Sequence, residues 1–147
     1  MYLIGTRNTS TQNLVTGDTI DFGAVYRKFC KKNACGVKVF EFNDDSISLQ
    51  HNGIYHLTAT ITFTAPVAGD VVFTLAQNEM PTIGATITET ITTATTEFKT
   101  STLDFYVLVD SGCLLGTQTT LIKNISIINT GVDATITNVV VNVEKVV

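Results

Sequence analysis

The sequence predicts an all-β protein, an antiparallel two-sheet sandwich or jelly roll. Apolar and polar residues alternate with a period of two along most of the chain, and turn-forming residues recur between the alternating runs. No segment has the apolar spacing of an amphipathic helix, so short antiparallel strands remain as the building unit. The 147 residues, 44% hydrophobic and 15% charged, suit one compact domain that buries a core.

Taken in order, strands are expected over residues 19–27, 37–42, 46–49, 54–64, 71–77, 85–93, 100–109, 119–128 and 134–146. Turn signals fall between them at Gly36, Asn43-Asp44-Asp45, Asn52-Gly53, Gly69-Asp70, Ser111-Gly112 and Asn129-Thr130-Gly131. The clearest strand is GIYHLTATITFTAP, residues 53–66. Tyr55, Leu57, Ala59, Ile61 and Phe63 form an apolar register, and His56, Thr58, Thr60, Thr62 and Thr64 form a polar one. Threonine is β-branched and suits strands, while its hydroxyl keeps an outer face wet without like-charge repulsion. The threonine-rich stretch 86–100 reads as two outer strands joined by a turn near Ala94-Thr95, with Ile87 and Ile91 inward.

Two strands depart from clean alternation. Phe105, Tyr106, Val107 and Leu108 are consecutive in one, and Val139, Val140 and Val141 in the other. A sandwich covers only its inner faces, so a strand apolar on both sides is expected at a subunit interface, or else under cover from a long loop over residues 27–36.

Charge and chemistry narrow the function. A net charge of -4 and a pI near 4.9 lack the basic face that a phosphate backbone demands, so no nucleic-acid partner is expected. The N-terminal stretch lacks a signal-peptide pattern and no apolar run reaches the ~20 residues of a membrane helix, so cytoplasmic synthesis without membrane insertion is expected. His51 and His56 stand outside any spaced metal motif, and no nucleophile elbow or phosphate-cradling glycine loop is present. Ser111-Gly112-Cys113 reads as a hairpin turn. Cys30, Cys35 and Cys113 with His51 offer four zinc donors in principle, but without paired-knuckle spacing, and Cys30 and Cys35 can bridge after release from a reducing compartment. Asn43, Asp44 and Asp45 lack the loop spacing of a calcium-binding hand. No catalytic residue, metal or cofactor is expected, and the protein is expected not to be an enzyme. The run RKFCKK gathers Arg27, Lys28, Lys31 and Lys32, either a solvated loop or a docking loop for an acidic partner surface.

The ordered series TIDFGAVYR, FNDDSISLQHNGIYHLTATITFTA, AGDVVFTLAQN and GVDATITNVVVNVEKV resembles the small tumour necrosis factor-like domains, akin to complement globular heads, of Firmicutes phages and prophages. The pattern I-x-L, turn, G-x-Y-x-aliphatic is present as Ile47, Leu49, Gly53, Tyr55 and Leu57. The resemblance implies a tumour necrosis factor-like jelly roll over residues 14–147 that assembles as a homotrimer. Residues 1–13 would then be an N-terminal arm for attachment. It implies a three-fold interface formed by Tyr55, Tyr106, Val139, Val141 and Val143. It also implies a structural virion protein, a capsid decoration or head-fibre trimer whose partners are its own copies and the virion shell or tail. A tail-associated receptor-binding head touching the host envelope or a host glycan is the second expectation. A carbohydrate-binding jelly roll is the third, disfavoured because the chain has no Trp to form a sugar platform.

Overall fold

In the computed structural model, residues 1–30, 38–114 and 117–147 are described, and they form strands and turns with no helix. In chain order the strands are β1 Tyr2–Asn8, β2 Gln12–Leu14, β3 Ala24–Cys30, β4 Phe40–Asn43, β5 Ser46–Leu49, β6 Gly53–Thr64 and β7 Gly69–Gln77. They continue as β8 Met80–Ile91, β9 Lys99–Val109, β10 Ser111–Leu114, β11 Thr117–Thr120, β12 Lys123–Asn129 and β13 Ala134–Lys145. The first sheet runs β3-β1-β13-β6-β9, with β2 added to the end of β13; the second runs β4-β5-β12-β7-β8. All pairings are antiparallel, and β10 and β11 form a separate hairpin.

The inner registers of the two sheets make one core. Leu57, Ala59, Ile61 and Phe63 of β6 and Val139, Val141 and Val143 of β13 face Ile47, Phe73, Leu75, Ile125 and Ile127 of the second sheet, all buried. Phe63 meets Phe73 edge-on at 5.2 Å, and Phe40 meets Tyr55 at 5.8 Å, the geometry that ring quadrupoles favour. Each such side chain contributes about 1.5–3 kcal/mol by leaving water. At the far end of β12, buried Asn129 donates its side-chain amide to the carbonyls of Leu14 and Val132, tying the end of β2 and the β12–β13 loop to the core.

Several expected elements hold and others shift. The long strand has the expected inward register, and the turn between β8 and β9 holds Thr95 at φ 65 beside Ala94. Ile91 is buried and Ile87 packs against the core. Asn43 to Asp45 is the β4–β5 turn, with Asp44 at φ 46. The expected strand at 19–27 lies later, at Ala24–Cys30, and before it only Thr19 bridges to Ile128. Residues 119–128 divide between β11 and β12, and Ser111 to Cys113 is strand, not turn.

The N-terminal arm needs correction. Tyr2–Asn8 is a strand of the first sheet, paired to β13 on one side and β3 on the other, with Ile4 fully buried. Position 14 is therefore no domain boundary. The stretch hid its alternation because Gly5 has no side chain to reveal a face and a bulge follows it, between Gly5 and Thr6. A second bulge, between Ile136 and Asn138, moves the inward register of β13 from Ala134 and Ile136 to Val139, Val141 and Val143.

Candidate functional site

The predicted interface residues divide between the two faces of the first sheet. Tyr55, Val139, Val141 and Val143 are fully buried inside one chain, so they fill the sandwich and are not available to a neighbouring subunit. The expectation fails for these four because the β13 bulge brings its valines inward, while Tyr55 lies on the inward register of β6 and its hydroxyl donates to the His51 carbonyl at 2.7 Å. Tyr106 is the exception, 59% exposed on the outer face. It is joined there by Leu108 at 55% and Ile54 at 38%, cross-strand partners of each other.

Pairing registers organise that outer face into transverse rows. One row runs Phe29, Leu3, Glu144, His56, Tyr106 across β3, β1, β13, β6 and β9. The next runs Arg27, Gly5, Asn142, Thr58, Asp104. Further along, Thr60 faces Thr102 and Thr62 faces Thr100, with hydroxyl oxygens 3.3 and 3.0 Å apart. The face is therefore aromatic and charged toward one end, threonine at the other.

In the first half, each sheet edge carries a built cluster. At the β9 edge, His56 Nε2 lies 2.6 Å from Asp104 Oδ1; a carboxylate only accepts, so the ring nitrogen donates. The imidazole stacks on Tyr106 at 4.6 Å and 15°. At the β3 edge, two guanidinium groups lie over the Tyr26 ring, Arg7 at 5.5 Å and Arg27 at 5.7 Å from its centroid. Tyr26 donates its hydroxyl to Asn142 Oδ1 at 2.9 Å, and Arg27 donates to the same oxygen at 3.3 Å. Gly5 makes room for this: a Cβ there would lie 2.7 Å from Asn142 Oδ1 and 2.9 Å from the Tyr26 ring. Between the clusters, Leu3, Arg27, His56, Thr58, Asn142 and Glu144 line a cleft of about 330 Å³.

Asp104 fixes the orientation of the His56 imidazole, as a carboxylate does in a general-base relay. The face thus gathers exposed rings, two guanidinium groups and the carboxylates of Asp104 and Glu144 on one sheet.

The remaining predicted sites are dispersed. Strand alternation points Arg27 to the outer face and Lys28 away from it, so these two do not share a face; Lys31 and Lys32 lie outside the described residues. Cys35 also lies outside them, while the backbone places Cys30 at the end of β3 and Cys113 in β10. No group of three His, Cys, Asp or Glu side chains is gathered among the described residues. Sequence reading missed Arg7, Tyr26, Phe29 and Asp104. Their signal is non-local, because they sit on strands that only the register aligns.

No protein-family model and no curated protein sequence matches the chain. Solved structures do match. The globular domain of zebrafish complement 1qA protein aligns with a TM-score of 0.61 at 7% identity, over 100% of this chain and 98% of that one. PRD1 vertex protein P5 aligns at 0.56 and 11% identity, over 99% and 97%. Eiger TNF from S. frugiperda aligns at 0.56 and 12% identity, over 100% and 94%. At these identities the likeness shows the fold: this chain is a jelly roll of the tumour necrosis factor and complement globular-head type.

Proposed function

We propose that this protein is a non-enzymatic structural module of a phage particle, a homotrimer that decorates the capsid or forms a head fibre. The observation that carries the self-assembly is the outer face of the first sheet, where Tyr106, Leu108 and Ile54 stand exposed together at the end away from the paired threonines. Large apolar side chains grouped on a rigid face favour a partner that removes them from water. The particle role draws support from the full-length likeness to a phage vertex protein. Tyr2–Asn8 is built into the sheet, so these residues are not the attachment arm, and in this reading side chains on the domain's own surface meet the shell.

Light scattering on the purified chain tests the assembly, and labelling of purified particles with an antibody to the chain tests the role. A mass of three subunits with label distributed over the capsid is the expected result. A monomer removes the assembly. Label confined to the tail tip assigns the trimer to host recognition instead.

A further inference from the structure

The transverse rows on the outer face end in opposite chemistry at the two sheet edges. The row through Gly5 and Asn142 has Arg27 at the β3 edge and Asp104 at the β9 edge. The adjacent row has Phe29, 55% exposed, at the β3 edge and Tyr106 at the β9 edge. Four interstrand spacings, roughly 19 Å, separate the two ends of a row, so neither end can satisfy the other within one chain.

The end groups are also incompletely partnered. Among the described residues, Arg7 and Arg27 have no carboxylate partner; they stack on Tyr26, and Arg27 reaches only the neutral Asn142. Asp104 contacts His56 through Oδ1, has no partner on Oδ2 among the described residues, and its side chain is 60% exposed. Copies related by a cyclic axis along the strands keep each row at the same height. The β3 edge of one copy then meets the β9 edge of the next, cation to carboxylate and Phe to Tyr.

We infer that the outer face of the first sheet binds a second copy of this chain head to tail, with Arg27 and Phe29 of one subunit meeting Asp104 and Tyr106 of the next. This rests on the self-assembly proposed above and specifies which groups meet. The pairing sets orientation: a copy turned end over end brings Arg27 opposite threonines and leaves Asp104 without a cation. The His56 stack holds Tyr106 flat, and the Gly5 gap seats Tyr26 beneath both guanidinium groups, so each edge is ordered before association.

The test is a charge swap followed by sedimentation equilibrium, with circular dichroism to verify the strands. Arg27→Glu and Asp104→Arg each weaken association about tenfold or more, and the double variant restores it to within about threefold of the unaltered chain. Phe29→Ala and Tyr106→Ala give the same non-additivity without a charge change. If the unaltered chain assembles and the double variants are no better than the sum of the singles, the pairing is wrong while self-assembly stands. If the unaltered chain is monomeric at every concentration, self-assembly itself is wrong. A charge-swapped double variant that assembles with two subunits instead of three retains the pairing and replaces the three-fold axis by a two-fold one.

Discussion

The two halves of the first sheet's outer face use the same strands and the same pleat for different ends. In the threonine half, Thr60 with Thr102 and Thr62 with Thr100 associate hydroxyl to hydroxyl across β6 and β9, so the chain completes its own surface. In the other half, Tyr106, Leu108, Phe29 and Ile54 stay in water, and two guanidinium groups stack on a tyrosine with no carboxylate partner among the described residues. A sheet can thus be finished at one end and unfinished at the other, and the unfinished end is where function is sought. Each end also has its own titratable anchor. Tyr55 secures the start of β6 beneath the aromatic half, and Glu97 closes the β8–β9 loop at the threonine end.

The largest effect separates what lies under the face from what lies on it. Val141→Asp puts a carboxyl into the fully buried register of β13, and a loss of about 4 kcal/mol or more is expected, seen as a collapsed denaturation midpoint. Tyr106→Asp sits on the exposed register of β9, so strand content by circular dichroism stays and association weakens by roughly thirtyfold, on the scale of one interface hot spot. A Tyr106 variant that unfolds, or a Val141 variant that folds but does not assemble, would exchange the two faces.

The anchors then respond at opposite extremes of pH. Burial pushes the Tyr55 phenol from its ordinary value of 10.0 up to about 12, so the neutral form is favoured in the fold. Its contribution is whole below pH 10 and is lost as pH rises through about 12, whereas Tyr55→Phe flattens that alkaline fall at a cost of about 1 kcal/mol for the hydroxyl's bond to the His51 carbonyl. The Glu97 carboxylate accepts from the Thr93 amide at 2.8 Å and from the Thr92 hydroxyl and amide at 2.9 and 2.7 Å, which lowers its pKa from 4.5 to about 2. Its contribution is present above pH 4.5 and lost as pH falls through about 2. Hydrogen exchange at acid pH is therefore expected to open the β8–β9 loop first, and Glu97→Gln brings that opening to neutral pH. The smallest effect belongs to Thr60→Val with Thr102→Val: association unchanged and stability within about 0.5 kcal/mol. A loss of assembly in that variant would erase the distinction between the halves.

Much of this architecture is legible in the sequence where one residue's neighbours decide its face. The inward register of β6, the Asn43 to Asp45 turn and the turn beside Ala94 follow from period-two alternation and turn chemistry. β1 was illegible because a side-chain-less Gly5 and the adjoining bulge interrupt the pattern. The β13 valines were misassigned because the bulge before Asn138 shifts their phase. The basic run reads as a loop, solvated or docking, yet its first residues are strand, which sends Arg27 and Lys28 to opposite sides.

The sequence by itself determined the fold class, since alternation and turn propensity are local, acting between residues a few positions apart. It also showed that the strands carrying Phe105 to Leu108 and Val139 to Val141 are apolar on both faces for part of their length. Only the tertiary structure decided which side of each strand is covered, and that Arg27 and Asp104 end a single row. Three intervening strands must pair in register before those two residues share a height, and register is set by contacts between distant segments that no local pattern encodes.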